Sequence, residues 1–483
     1  MRGRTAAVVM CSLATFSAIW APAGLSHAQA TPPLDLNPIV FVHGGSGSGA
    51  QFQSQALRFA SNGYPQSFIR VLEYDSSAIQ RILPDVLARI DALIAELQLT
   101  TGRPQVDLVG HSLGTFVSQS YLATPERAAR VAHYVNVDGR TANALPGGVP
   151  TLALFAGAAR AVQGQIVGAI NVTLADQEHI EAVTSAEAFV QMFRFFTGRE
   201  PATSVIVPQA GPFPVSGRAV IFPQNVGVGE GVFVFVWEID PATGQRVKNF
   251  FGLFALPFAL LSVAADGSFG SFPAFPGAQY ELTLVRDGAP PHRFFFEPFL
   301  RSDALVRLNT GMPGQGLDAA VERSAAHSAL VITRNREFRG DRGSSNDVLA
   351  VNDQDVINEV TAPSGFVGGP AALFLFDLGS DRVSNLRTIP PPFGMIGFLR
   401  GADLFLPADP PGAIAIQSVP RGDAASARTL RIPNARSTEE RVTVQLNDFE
   451  ETLGSIELAR FVAACSVDPA CRAAIVAALQ QQG

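Results

Sequence analysis

The sequence lacks the features of a nucleic-acid-binding, membrane-spanning or disulfide-rich protein. Its 483 residues contain only 3 cysteines, too few for a disulfide scaffold. Acidic residues outnumber basic ones by 42 to 35, and the formal net charge of −7 argues against a nucleic-acid partner. After the first thirty residues, no apolar run reaches the roughly 20 residues that a membrane-spanning helix needs. What is present is a chain long enough for about two to four globular domains.

The first thirty residues have the pattern of a secretory signal peptide. Arg2 and Arg4 give a basic start, residues 6–20 are apolar, and Ala28-Gln29-Ala30 matches a cleavage site of the A-x-A type. We therefore expect residues 1–30 to be removed and the protein to be secreted or periplasmic.

Cys11 lies in this segment, so the mature chain keeps Cys465 and Cys471. An oxidising compartment favours one disulfide between them, within a short helical tail over residues 456–483, and two unpaired buried thiols are the alternative.

Residues 31–200 are predicted to form an α/β domain. Short apolar runs alternate with stretches of helical periodicity, which indicates a parallel sheet of about six strands covered on both faces. Pro84 is predicted at the first position of one helix, and a capping box at residues 184–187 opens another that stops at Gly198. The predicted strands are residues 39–42, 68–73, 106–109, 131–137, 150–155 and 170–174.

Residues 201–455 have a different pattern, with β-rich runs separated by Asp-Gly and Asp-Pro turns. We predict that these strands pair by hairpins and not by crossovers. Residues 201–309 resemble the prealbumin-like β-sandwich modules of secreted hydrolases, and residues 310–455 are predicted to form a second β domain. The expected fold class is thus α/β, followed by C-terminal all-β sandwich or barrel domains.

Gly110-His111-Ser112-Leu113-Gly114 follows a predicted strand and precedes a helix-compatible stretch. Glycines on both sides of the serine allow the strand and the helix to approach closely, and they leave the hydroxyl exposed above the sheet. The pattern alone is weak evidence, but its position between strand and helix makes Ser112 the candidate nucleophile.

A serine hydroxyl needs a base within hydrogen-bonding reach. After Ser112 the α/β domain has two histidines. His133 lies inside a predicted strand, where a structural imidazole is the favoured interpretation. His179 follows the last strand across a short loop and is the predicted base, with a surface histidine as the alternative.

The base in turn needs an acid that orients it. The loop at residues 156–165 holds no carboxylate. Asp138 stands at the carboxyl end of the preceding strand and is the predicted acid, although an aspartate before Gly139 also suits an ordinary turn. Asp176 is disfavoured because it is three residues from His179 on the same loop and would need an unusual fold-back.

A glycine-rich segment at residues 43–49 follows the first predicted strand. The backbone N–H groups of Gly45 and Leu113 are the predicted oxyanion hole. Phosphate binding is the alternative for this loop, but the Lys-Ser/Thr pair of a P-loop does not follow it.

These motifs resemble the minimal α/β-hydrolase lipases, and the β-rich remainder resembles the C-terminal domain of two-part microbial lipases. The resemblance implies hydrolysis of an acyl ester, lipids and polymers included, by Ser112, Asp138 and His179 through an acyl-enzyme. It also implies no metal or organic cofactor. Residues 74–83 and 139–149 leave little room for a lid, so we expect an open site.

Two further apolar segments lie at residues 249–265 and 390–399. The functional hypothesis is that they form a surface over Ser112 that grips acyl chains, a lipid interface or a polymer. The alternative is that they fill the β core or the contact between domains.

Two other functions remain open at this point. The same residues could act on an amide, lactone or polyester, or could transfer the acyl group to an alcohol. Alternatively, the β domains could serve a secreted adhesion or glycan-binding protein whose hydrolase core is vestigial.

Overall fold

The computed structural model describes residues 36–158, 164–249, 254–364 and 369–449. The predicted signal peptide, Cys465, Cys471 and the predicted tail at 456–483 lie outside these residues. In the ranges that are described, no helix combines the length and the apolar character needed to cross a bilayer.

The N-terminal domain contains a parallel sheet in the strand order β2-β1-β3-β4-β5-β6. Its strands are β1 (Ile39–Val42), β2 (Ile69–Leu72), β3 (Val106–His111), β4 (Val131–Val137), β5 (Thr151–Ala156) and β6 (Ile170–Leu174). The prediction of an α/β fold with a six-stranded parallel sheet is confirmed, and parallel strands bring their carboxyl ends to one edge.

Helices cover both faces of this sheet. They are α1 (Gln53–Ser61), α2 (Ile79–Thr101), α3 (Leu113–Leu122), α4 (Pro125–Ala128), α5 (Glu181–Thr184) and α6 (Ala186–Thr197). On one face, aromatic side chains of α1 and α6 such as Phe59 and Phe189 pack on the sheet. On the other face, aliphatic side chains of α2 such as Ile90 and Ile94 do so.

One helix start differs from the prediction. Pro84 lies in the second turn of α2 and not at its first position. The carbonyl that loses its hydrogen-bond partner to the proline ring belongs to Gln80, an exposed residue, so water can satisfy it. The predicted start of α6 is close to the observed one, because Ser185 Oγ accepts a hydrogen bond from Ala188 N at 3.0 Å.

In the described residues after 200, the chain is built from β-strands, with a few single 3-10 turns and one short α-helix, α7 (Gly316–Ala320). The strands are β7 (Phe213–Ile221), β8 (Val226–Gly227), β9 (Phe233–Ile239), β10 (Lys248–Asn249), β11 (Phe254–Ala255), β12 (Ala259–Ser262), β13 (Ser268–Ala274), β14 (Gln279–Val285), β15 (His292–Phe296), β16 (Asp303–Thr310), β17 (Leu330–Thr333), β18 (Val348–Val351), β19 (Gln354–Asp355), β20 (Ala372–Phe376), β21 (Leu399–Asp403), β22 (Ala413–Val419), β23 (Arg428–Pro433) and β24 (Arg441–Gln445). This confirms the predicted all-β character of the region.

The largest of the C-terminal sheets has the order β12-β9-β14-β15-β24-β17-β20-β21. Strands from both sides of residue 310 therefore share one sheet, joined where β15 pairs with β24. Two smaller sheets have the orders β13-β7-β16, with β8 also on β7, and β19-β18-β22-β23.

The prediction that these strands pair by hairpins and not by crossovers is wrong for four pairs. The pairs β7–β16, β15–β24, β17–β24 and β20–β21 are parallel. Parallel partners need a long connection, so no turn motif between them could have signalled the pairing.

Candidate active site

Ser112 occupies a sharp turn between β3 and α3. Its backbone has φ 52° and ψ −120°, a region that L-residues rarely adopt, and its N–H donates to the carbonyl of Val137 at 3.0 Å. The turn depends on close backbone contacts at the flanking glycines. A Cβ on Gly114 would lie 2.2 Å from the carbonyl oxygen of Val42, and one on Gly110 would lie 2.8 Å from that of Gly114. The predicted strand–serine–helix elbow is therefore present.

We expect Gly114→Ala to destabilise the protein by about 3 kcal/mol or more, because its methyl group would overlap the backbone of β1 and not a movable side chain. Chemical denaturation measures this change. Gly45→Ala is a matched control, since no heavy atom lies within 4 Å of the added Cβ. An equal stability loss in both variants would contradict the explanation.

Asp138 and His179 form the central contact of the site. Asp138 follows β4, and its Oδ2 lies 2.5 Å from His179 Nδ1. Its Oδ1 accepts a hydrogen bond from Ala156 N at 3.0 Å, so the carboxylate is fixed on both sides. Asp138 is buried, whereas 17% of the His179 side chain remains accessible. With Nδ1 bound to the carboxylate, Nε2 is the ring nitrogen left for proton transfer.

Ser112 and His179 line the same cavity. Among the residues that the structure covers, the Ser112 hydroxyl makes no hydrogen bond, so its contact with His179 Nε2 is not formed. The structure thus brings the predicted nucleophile, base and acid to one edge of the sheet. The hydrogen bond between the base and the acid is formed, whereas the one between the nucleophile and the base is not.

The alternatives for base and acid lie elsewhere. His133 Nδ1 is 2.8 Å from the buried Asp107 carboxylate, which gives it a structural partner within the sheet. Asp176 is exposed, and its backbone carbonyl accepts a hydrogen bond from Arg339.

The predicted oxyanion donors also lie beside Ser112. In the glycine-rich loop, Gly44 N donates to Gln51 Oε1 and Ser46 N donates to Ser76 Oγ. Between them, Gly45 N–H has no partner among the residues described, and neither has Leu113 N–H at the start of α3. A Cβ on Gly44 would lie 3.0 Å from Ser112 Cβ, so the loop packs directly against the serine. Two unpaired donors at this position suit an oxyanion.

A buried polar cluster beneath the glycine loop is not evident from the sequence. The Glu73 carboxylate accepts hydrogen bonds from Gly49 N, Asn225 Nδ2 and the Arg307 guanidinium. Asn225 and Arg307 belong to the β region. Burial opposes its ionisation, but Arg307, then His43 and Arg218, outweigh that cost and lower the pKa of Glu73 to about 2. Glu73 is therefore ionised beneath the glycine-rich loop at physiological pH and pairs with Arg307.

His111, the second residue of the elbow motif, contacts both the backbone and the ring of His179. Its Nε2 lies 2.9 Å from the His179 carbonyl oxygen, and the two rings are 4.6 Å apart. Burial, with the nearby His179, lowers the pKa of His111 to about 3, so this ring is neutral and can donate to the carbonyl. The sequence pattern gave it no role because any residue satisfies that position.

The cavity above Ser112 and His179 has a volume of about 990 Å³. The α/β domain contributes the glycine loop, Ser112 and His179, and the β region contributes apolar walls. These walls include Phe222, Leu330, Phe374, Ile396, Phe398 and Leu399. The C-terminal β region therefore forms walls of this cavity although the core has little room for a lid, and Ser112 and His179 both stay partly exposed. That the site is open to water-soluble esters stays a prediction.

The two apolar segments have different outcomes. In the segment at 390–399, Phe398 stacks on the His179 ring with centroids 5.7 Å apart, in line with the functional hypothesis. In the described part of 249–265, no residue lines the cavity, so the surface over Ser112 that the hypothesis expects is not found there. Leu261 and Val263 pack in the β core as the alternative expected, but Phe254 and Leu260 are 64% and 57% exposed. Leu260 and Leu261 lie on opposite faces of the edge strand β12, so the apolar pattern did not distinguish its exposed face from a buried one.

Family models match three consecutive parts of the chain. A class 2 lipase model matches residues 36–126, a lipase C-terminal domain model matches residues 211–313, and a further C-terminal domain model matches residues 316–450. The first match includes the glycine loop and Ser112 but ends before Asp138 and His179. No curated protein matches the chain.

Several solved structures are similar to parts of the chain. A Bacillus licheniformis lipase in its propeptide form is 13% identical, with 83% of this chain and 94% of that chain covered and a TM-score of 0.27. A thioesterase domain of the curacin biosynthetic pathway is 14% identical over 33% and 92%, with a TM-score of 0.25. An esterase domain from Rhodothermus marinus is 14% identical over 34% and 89%, with a TM-score of 0.24.

The parallel sheet, the elbow and the order of the family matches agree with one another. In its architecture the chain is thus similar to the two-part α/β-hydrolase lipases, with a core that matches a class 2 lipase model followed by C-terminal β domains.

Proposed function

We propose that this protein is a secreted serine hydrolase of carboxylic esters in which Ser112, His179 and Asp138 form the catalytic triad. The observation that carries the proposal is the 2.5 Å contact between Asp138 Oδ2 and His179 Nδ1 in the wall of the cavity that Ser112 also lines. A buried carboxylate bound to one ring nitrogen keeps the other free to accept a proton, which is the arrangement that activates a serine hydroxyl.

The reaction follows from the roles of these groups. Ser112 Oγ attacks the ester carbonyl while His179 Nε2 accepts its proton, and Asp138 stabilises the imidazolium. The N–H groups of Gly45 and Leu113 bind the oxyanion, each contributing about 2.7–4 kcal/mol to transition-state stabilisation. His179 then protonates the leaving alcohol, and water hydrolyses the acyl-enzyme by the reverse sequence of proton transfers.

The cavity walls favour an ester with a large apolar group. About 990 Å³ is the size of site that encloses a drug-sized or longer apolar molecule, and the aromatic and aliphatic walls from the β region would exclude water around it. A long acyl chain, a lipid or a segment of polyester fits this description. Lactone or amide hydrolysis and acyl transfer would use the same residues and differ only in the acceptor or the leaving group.

Covalent labelling tests the proposal. An organophosphonate carrying a nitrophenol leaving group should modify Ser112 stoichiometrically, with peptide mass spectrometry identifying the site, and should abolish the turnover of nitrophenyl esters. Over a panel of esters from acetate to palmitate, we expect kcat/KM to increase with acyl length until the cavity is filled. Retained binding to a surface or glycan with no labelling of Ser112 would favour the adhesion hypothesis instead.

A further inference from the structure

The loop that carries His179 is held by a carboxylate from the C-terminal β region. Glu337, which lies between β17 and β18, accepts hydrogen bonds from two consecutive backbone N–H groups, Ile180 N at 2.5 Å and Glu181 N at 2.9 Å. These are the two peptide groups that follow His179. Glu337 is completely buried, so both contacts are shielded from water.

Other charged groups hold the residues on either side of the histidine. Arg339 contacts the carboxylates of Glu178 at 3.3 Å and Glu181 at 3.0 Å, and it also donates to the carbonyl of Asp176. Glu178 accepts a further hydrogen bond from Gly369 N at 3.3 Å. The histidine loop is therefore bound from both sides by one region of the β fold, while within the α/β domain its ring contacts Asp138 and lies against the ring of His111.

We propose that Glu337 is a positioning residue for His179: by fixing the two peptide groups after the histidine, it sets the direction of the imidazole toward Ser112. This inference rests on the proposed function, because it assigns Glu337 a role only if His179 is the base. It gives the C-terminal β region a part in the chemistry, in addition to its contribution to the cavity walls.

The charge state of Glu337 makes this role testable. Burial, then repulsion from Glu178 and Glu181, raises the pKa of Glu337 to about 7. Arg421, Arg336 and Arg339 keep the pKa of Glu181 below its usual value, so that neighbour stays ionised. Above about pH 7, Glu337 is a carboxylate that accepts both N–H bonds as charge-assisted contacts. Below that pH it is neutral and resembles a glutamine.

The main test compares Glu337→Gln with the wild type over a range of pH. At about pH 9 we expect kcat for a nitrophenyl ester to fall between about 10- and 100-fold with KM little changed, since the substrate walls are intact and only the base is misdirected. At about pH 5.5 the wild-type side chain is also neutral, and the ratio of the two kcat values should approach one.

Glu297→Gln is the matched control. Glu297 is also a buried carboxylate of the β region that accepts a backbone N–H, from Asn447 at 2.7 Å, and an arginine contact, but it does not touch the histidine loop. We expect it to lose stability without a pH-dependent change in kcat. Glu337→Asp keeps the charge but cannot reach both N–H groups, so it should also lower kcat at about pH 9, and it serves as the test of position if Glu337→Gln does not fold.

A spectroscopic measurement checks the geometry without turnover. The Asp138–His179 hydrogen bond should give a proton resonance far downfield, identified by its loss in Asp138→Asn. We expect this resonance to move or broaden in Glu337→Gln at about pH 9 and to be unchanged in Glu297→Gln.

An unchanged kcat in Glu337→Gln at about pH 9, or a loss of kcat that stays constant from about pH 5.5 to 9, would overturn the inference. Either result would leave the proposed function intact if Ser112→Ala is inactive. Full activity of Ser112→Ala would instead overturn the proposed function itself.

Discussion

Ser112→Ala is expected to lower kcat for ester hydrolysis by about 10⁶-fold, the size of loss measured when the nucleophile of a comparable triad is removed. The alanine variant keeps the elbow, the cavity and the Asp138–His179 contact, so substrate binding should be retained while the acyl-enzyme cannot form. Burst kinetics and steady-state hydrolysis of nitrophenyl esters measure the effect.

Ser120→Ala on the same helix is a suitable control for this measurement. Its hydroxyl donates to the carbonyl of Phe116 at 2.7 Å, within α3, and it does not line the cavity. We expect this variant to have the kcat of the wild type. A Ser112→Ala variant that kept more than about a hundredth of wild-type kcat would exclude Ser112 as the nucleophile.

Asp138→Asn is expected to lower kcat by about 10⁴-fold with little effect on KM. The amide of asparagine has nearly the size of the carboxylate, but its NH2 group cannot accept the hydrogen bond that His179 Nδ1 donates. The ring would then take the tautomer with its proton on Nε2, which cannot accept a proton from Ser112. Initial rates at saturating ester, with KM measured in parallel, give the comparison.

Asp107→Asn is the matched control for Asp138→Asn. Asp107 is also fully buried in the same sheet and also contacts a histidine, His133, at 2.8 Å. This pair lies outside the cavity, so we expect a loss of stability in Asp107→Asn and an unchanged kcat. Equal losses of kcat in the two variants would mean that a damaged sheet, and not the orientation of His179, explains the effect.

The sequence predicted the part of the site that depends on strand ends. Apolar runs locate the strands of a parallel sheet, and the residue after each run lies at the carboxyl edge. Ser112 follows β3, Asp138 follows β4 and His179 follows β6, so the topology alone brings them close together. The contact between Asp138 and His179 is consistent with that reasoning, and so is the N–H of Gly45, which has no partner in the part of the chain that the structure describes.

Contacts between the two regions of the chain could not be predicted in this way. Glu337 and Ile180 are far apart in sequence, and nothing local to Glu337 distinguishes a buried acceptor of backbone N–H groups from a surface carboxylate. The cluster around Glu73 and Arg307 has the same property. The parallel pairing of β15 with β24 also depends on the global fold and not on a local turn. The spacing of apolar residues shows which face of a segment is buried, but it does not show which other segment packs against that face.

Phe398 links the two regions at the reaction centre, because it comes from the β fold and stacks on the imidazole of the α/β domain. If the proposed function holds, the β region affects both the choice of ester, through the cavity walls, and the base, through Phe398 and Glu337. Exchanging the C-terminal half for one with another lining would alter which esters are accepted. Such a chimera would keep its turnover rate only if the incoming half also carried an aromatic ring over His179 and a carboxylate in the place of Glu337.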